Sequence, residues 1–91
     1  MNNKKILKEL NIENLPNEKQ VEIIDRLENI IMTKVLSRII KSLSDESRKE
    51  YMSLLKEEEF QKTKSFLKKE NVNFDEVIKQ TAKEVIEEFK R

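Results

Sequence analysis

The residues of this chain that could do acid–base chemistry are carboxylates, because the sequence contains no histidine and no cysteine. Histidine is the commonest general base and transition-metal ligand, and cysteine supplies thiolate nucleophiles and zinc ligands. The densest acidic group, Glu57, Glu58 and Glu59, is contiguous. Adjacent side chains on a helix point about 100° apart, so these carboxylates do not converge on one reacting atom. We interpret them as a solvated acidic turn.

Serine hydroxyls and phosphate-binding loops offer no better site. Ser37, Ser42 and Ser44 have no histidine to act as a general base, and Ser44 stands where a helix cap is expected. The chain has no glycine, which excludes the Gly-rich loops of P-loop and dinucleotide-binding proteins. The Glu-x-x-His pairs of di-iron bundles are absent as well. The sequence therefore predicts a protein that is not an enzyme, with no cofactor and no metal site.

Length and composition favour a single all-α domain over residues 1–91. Charged residues make up 41% of the chain, yet the net charge is only +1, which fits helices with mixed solvent faces better than a disordered tail. Helix is also favoured by the lack of glycine and the presence of one proline. A domain of this size buries only about 60 to 65% of its unfolded surface, so contact with a partner would add to a thin stability margin.

Neither a signal peptide nor a membrane span is visible. Near the start of the chain, the apolar pair Ile6 and Leu7 is followed directly by Lys8, whereas the apolar core of a signal peptide has about 7 to 15 residues. The longest apolar run, residues 30–32, is far shorter than the roughly 20 residues that a spanning helix needs. We expect a cytoplasmic protein that does not cross a membrane.

Hydrophobic periodicity and caps predict a bundle of four to five helices. In chain order, they run from Asn2 or Asn3 to Leu10, over residues 17–43, from Asp45 to about Lys56, from a break near residues 57–59 to about Lys69, and from a start at residues 73–76 almost to the C-terminus. A continuous bent helix through residues 57–59 is the alternative. Pro16 suits a first helical turn. The predicted side-chain caps are Asn17 with Gln20, Ser44, and Asn73 with Glu76.

The long central helix carries an apolar stripe that turns around its axis. At about 100° per residue, Ile23, Leu27 and Ile30 share one side, and the later apolar residues lie more than a right angle further round. Such a helix is also roughly 39 Å long, whereas 91 residues are expected to give a radius of gyration of about 12 Å. We weigh three outcomes: a kinked helix, an elongated monomer with different helices against each half, or a second copy that covers the excess apolar surface.

We favour the second copy, since two-fold homodimers are the commonest assembly. The function predicted is a protein-interaction or self-associating (homodimer) module, and its partner is the chain itself or another protein. The candidate interaction residues are Met32, Leu36, Ile39, Ile40 and Leu43. Acids occupy the first half of the helix, and Lys34, Arg38 and Lys41 occupy the second, so an antiparallel pair would be complementary in charge. The alternative is that this polarity only suits the helix dipole.

A nucleic-acid-associated accessory protein is the alternative function. The turn at residues 43–44 could form a helix-turn-helix, and the helix after it carries Arg48, Lys49 and Lys56. Its acids, including Glu46 and Glu50, would repel phosphates. The lysines of residues 62–69 are typical of a solvated helix face, and the mixed charges of the last helix do not favour binding to a membrane surface.

The order of these features resembles a family of short all-helical bacterial proteins, largely from candidate-phyla bacteria, that is catalogued as a domain of unknown function. The resemblance is carried by LNIENLP at residues 10–16 with Glu18 and Lys19, VLSRII at 35–40, LSDE at 43–46, FLKK at 66–69, NFDE at 73–76 and FK at 89–90. This chain departs from the pattern in two loops: it lacks an acidic-Gly turn after residues 54–55 and a proline near residues 72–73. The resemblance implies a small helical cytoplasmic protein, and implies neither an activity nor site residues.

Overall fold

A computed structural model describes residues 3–90 of the chain and contains five helices joined by short loops. The helices are α1 (Asn3–Leu10), α2 (Asn17–Ser42), α3 (Asp45–Lys56), α4 (Phe60–Lys69) and α5 (Phe74–Lys90). No strand occurs within residues 3–90. The all-α prediction is confirmed, and so is the break near residues 57–59; the alternative of one bent helix there is wrong.

Two of the three predicted side-chain caps form. Ser44 Oγ accepts a hydrogen bond from the Ser47 backbone N–H at 3.3 Å, and Asn73 Oδ1 accepts one from the Glu76 N–H at 3.1 Å. Each bond satisfies a backbone donor that a first helical turn leaves without a partner. Local side-chain chemistry therefore fixes where α3 and α5 begin.

The predicted capping box at Asn17 is wrong. The residue before α2 is Pro16, and no side chain caps this helix end. The Gln20 amide Nε2 instead donates to the backbone carbonyls of Glu13 and Leu15, at 2.9 and 3.0 Å, and to that of Ile12 at 3.4 Å. Gln20 thus fastens the loop after α1 onto α2, because the loop presents several carbonyls that have no helical donor.

Three residues with side chains take the backbone conformation that glycine usually supplies. Asn11, Glu58 and Asn71 follow α1, α3 and α4, and their φ angles are 58°, 57° and 62°. A left-handed residue after a helix lets the chain turn back and satisfies the last carbonyls. Because this chain has no glycine, asparagine fills two of the three positions and glutamate the third.

The buried stripe of α2 turns around the helix, as predicted. Its members are Ile24, Leu27, Ile31, Val35 and Ile39. From Leu27 onward they recur every four residues, so the buried direction turns by about 40° at each step. Ile30, which was assigned to this stripe, is 46% exposed and lies outside the core.

The α5 helix runs antiparallel to the C-terminal half of α2. Arg38 on α2 donates to Thr81 on α5 at 2.8 Å, and one helical turn earlier Lys34 pairs with Glu88 at 3.4 Å. The α1 helix packs on α5 as well, and the loop that follows α1 lies on the N-terminal half of α2. Different elements therefore cover the two halves of the long helix.

The molecule is elongated, with dimensions of 47 × 24 × 17 Å and a Cα radius of gyration of 15.4 Å. The expected radius for this chain length is about 12 Å. The elongated shape, with different elements on the two halves of α2, agrees with what the second of the three outcomes requires of a single chain. Whether a second copy also covers part of its surface stays a prediction.

The α3 and α4 helices form a hairpin on the C-terminal end of α2. The rings of Tyr51 and Phe66 stack across the hairpin with centroids 6.4 Å apart, and burial raises the pKa of Tyr51. Arg48 Nε donates to the backbone carbonyl of Ile40 at 2.6 Å. This bond ties α3 to α2 beside an apolar part of the surface.

Candidate interaction surface

The five residues predicted to interact with a partner divide into two groups. Ile39 and Leu43 are only 1% and 5% exposed and belong to the hydrophobic core of the chain. The buried side of α2 moves round the helix axis along its length, and at the C-terminal end it includes these two positions. The neighbouring helices therefore already cover both side chains. In this fold they are not available to a partner.

Met32, Leu36 and Ile40 remain at the surface. They follow one another at intervals of four residues, so they form a single row along α2. Met32 is 43% exposed, while Leu36 and Ile40 are half-buried against the core. The structure thus leaves three of the five predicted residues where a partner could contact them.

The α3 helix extends this row with Met52, which is 45% exposed. The adjacent apolar residues Tyr51 and Met52 predict an inner position on α3 for both side chains, yet only Tyr51 is buried. The two positions are about 100° apart on the helix, and that separation was the available signal. Met52 and Ile40 line a shallow groove whose other residues are Arg48, Lys49, Ser53 and Lys56. We call Met32, Leu36, Ile40 and Met52 the α2–α3 surface.

The α2–α3 surface has an acidic end and a basic end. The acidic end consists of Glu18, Glu22 and Asp25, which are exposed on α2 and point within about 40° of the direction of Leu36. The basic end consists of the groove residues Arg48, Lys49 and Lys56 on α3. The apolar row therefore lies between two patches of opposite charge.

Two basic residues of α2, Lys34 and Arg38, were expected to form the basic end of this charge pattern. Both instead bind residues of α5 within the same chain. Arg38 Nη1 donates to Thr81 Oγ1, its Nη2 contacts the carboxylate of Glu84, and Lys34 pairs with Glu88. The hydrogen bond from Arg38, aided by one from Gln80, lowers the pKa of Glu84. Lys41, the third basic residue of this half of α2, is exposed but points about 140° away from the direction of Leu36, so the cations beside the apolar row come from α3.

Depressions elsewhere on the described part of the molecule include two that combine apolar and charged side chains. One is between α1 and α5, with Ile6 and Ile86 among lysines and glutamates. The other is at the start of α5, beside Lys64 and Lys68. Within residues 3–90, no three acidic side chains lie close enough to hold a metal ion, and no helix is both long and apolar enough to span a membrane.

The architecture defines a small, elongated, all-α protein built on one long helix. The chain belongs to the family described as Protein of unknown function (DUF5663), whose model matches residues 6–89. The family resemblance in the sequence is thereby confirmed, while a bacterial origin stays a prediction. No curated protein and no solved structure matches the chain.

Proposed function

We propose that this chain is a non-enzymatic docking module of the bacterial cytoplasm that binds a protein partner through the α2–α3 surface. The partner is either a second copy of the chain or another protein. The lack of histidine and cysteine supports a role without catalysis. The apolar α2–α3 surface supports a role in docking.

One observation carries the proposal: Met32, Leu36, Ile40 and Met52 form a continuous apolar row that none of the five described helices covers fully. Single exposed apolar side chains are ordinary, whereas several that adjoin one another and are bordered by charges mark a contact surface. Methionine also suits such a surface because its flexible side chain adapts to the shape of a partner.

The test is site-specific cross-linking in cells of the native organism. A photoreactive amino acid at position 32 should give a discrete cross-linked product, and the same amino acid at position 52 should give the same product. Position 30 is the matched control, because Ile30 is exposed to a similar extent but points about 160° away from Met32. No discrete product at positions 32 and 52, or the same products at position 30, would contradict the docking function.

The mass of the product also identifies the kind of partner. The chain has a mass of 10.9 kDa, so a self-linked product runs at about twice that mass. Any other mass indicates a different protein. Both results support the docking function, and they separate its two forms.

A nucleic-acid-associated accessory protein is the alternative function. Here α3 would be the recognition helix, but its Arg48 is held by the carbonyl of Ile40 and pairs with Asp45, and Glu46 and Glu50 are exposed on the same helix. These contacts give the alternative less support than the docking surface has. Binding to random duplex or single-stranded oligonucleotides that weakens steeply with salt would favour it, and no binding at low salt would remove it.

A further inference from the structure

We infer that the partner on the α2–α3 surface is a second copy of the chain, bound antiparallel about a two-fold axis near Met32 and Leu36. The inference rests on the docking function proposed above and names its partner. In a two-fold pair, each copy presents the same surface to the other, so that surface must be complementary to itself.

The positions of the charges meet this requirement in one orientation. With the axis midway between Met32 and Leu36, Asp25 lies about 14 Å from it along α2, at a rise of 1.5 Å per residue. On the second copy, the point about 14 Å from the axis toward the C-terminal end of α2 lies just past Ile40. There Lys49 and Lys56 line the groove. An antiparallel pair therefore sets each acidic end against a basic end, while a parallel pair sets like charges together.

Several of these charges are free to form contacts between copies. Within residues 3–90, Glu18, Asp25, Lys49 and Lys56 have no ion-pair partner. Glu22, by contrast, pairs with Lys19 and Arg26 on its own helix, at 3.6 and 3.5 Å. Charge complementarity of this kind steers association and fixes the orientation of the two partners.

The size of the surface fits a specific interface at the low end of the usual range. With the axis midway between Met32 and Leu36, the two α2 helices face each other over residues 26–42, a length of about 26 Å. A strip of this length and about 20 Å wide, the width of two helices, has an area of roughly 500 Å² on each copy, and about 1,000 Å² in total is the size at which specific interfaces begin. The apolar row at its centre supplies the part of the interface that excludes water.

Paired charge reversals in the purified chain test this arrangement, with the dissociation constant measured by analytical ultracentrifugation. One variant reverses the acidic end with Glu18→Lys and Asp25→Lys. A second reverses the basic end with Lys49→Glu and Lys56→Glu. Each variant alone should dimerise at least about tenfold more weakly than the unmodified chain, because like charges now face each other across the axis.

An equal mixture of the two variants is the decisive sample. In a mixed dimer both ends face opposite charges again, so the affinity should return to near that of the unmodified chain. The dimer of the unmodified chain should itself weaken between 0.05 and 0.5 M salt, since the screening length falls below about 10 Å above 0.1 M.

The control variant carries Lys79→Glu and Lys83→Glu, which change the net charge as much as the basic-end reversal does but lie on α5. It should dimerise like the unmodified chain, and circular dichroism should show that all variants are folded. Reversals that leave the dissociation constant unchanged, or a mixture that stays weak, would overturn the antiparallel arrangement. If the unmodified chain is monomeric at 1 mM, the inference that its partner is a second copy is wrong. A cross-linked product of another mass in cells would then still support the docking function.

Discussion

Glu58 is the residue at which this chain departs furthest from the ordinary preferences of its amino acids. Its φ of 57° is in the left-handed region, which costs a residue with a Cβ atom about 1 to 2 kcal/mol. Asparagine tolerates this region better than glutamate does, because its short polar side chain can hydrogen-bond locally. Of the three left-handed positions, residue 58 is therefore the one where glycine would bring the largest gain.

Glu58→Gly should stabilise the chain by about 0.5 to 1 kcal/mol, because the relief of strain exceeds the extra entropy that glycine loses on folding. Urea denaturation followed by circular dichroism measures this change. Glu57→Gly is the matched control, since Glu57 has the same side chain and a helical φ of −76°. The Glu57→Gly change should destabilise the chain by about 0.5 to 1 kcal/mol, because glycine loses more conformational entropy in a helical position. A Glu58→Gly variant less stable than the unmodified chain would refute the account of the strain.

At the scale of helices, the starts of α3 and α5 were predictable because their signals are local. In both cases a serine or an asparagine just before the helix accepts a hydrogen bond from the backbone N–H three residues later, so donor and acceptor lie within one helical turn of each other in the sequence. The role of Gln20 was not predictable in this way. Its amide bonds to a loop five to eight residues earlier, and the path of that loop depends on where α1 packs.

The structure therefore predicts unequal costs for removing two helix caps that look equivalent in the sequence. Ser44→Ala should destabilise the chain by about 1 kcal/mol, because the Ser47 N–H loses its partner. Asn17→Ala should change stability by less than about 0.5 kcal/mol, since no side chain caps α2. Urea denaturation of the two variants side by side makes the comparison. Equal costs would show that Asn17 caps α2 in solution.

The candidate surface was predictable only in part, and the reason lies in contacts between distant helices. The sequence shows that α2 is apolar over a wide arc, but it does not show which side of that arc α5 covers. The answer depends on pairs such as Arg38 with Thr81, which are 43 residues apart. Ile39 and Leu43 fall on the covered side, and Met32 and Leu36 fall beside it. Met52 was missed because its exposure depends on how α3 crosses α2.

At the scale of the whole molecule, elongation bears directly on stability. A chain of this size has a small margin even when it is spherical, and a shape of 47 × 24 × 17 Å leaves more surface in water. A second copy on the α2–α3 surface would remove part of that surface from solvent. Because only the folded chain can bind it, dimerisation would stabilise the fold by mass action.

The melting temperature should therefore depend on protein concentration. If the dimer forms in the micromolar range, raising the concentration from about 5 to 500 µM should raise Tm by about 5 to 10 °C, since a stabilisation of 1 kcal/mol raises the Tm of a domain this size by about 4 to 8 °C. Calorimetry at the two concentrations measures the shift. Met32→Glu places a charge at the centre of the interface, so it should abolish the shift and leave Tm near the low-concentration value. Ile30→Glu adds the same charge on another side of α2 and should keep the full shift. If the shift survives Met32→Glu, the contact between copies lies elsewhere on the molecule. If the Tm of the unmodified chain does not depend on concentration, the elongated monomer is stable without a second copy.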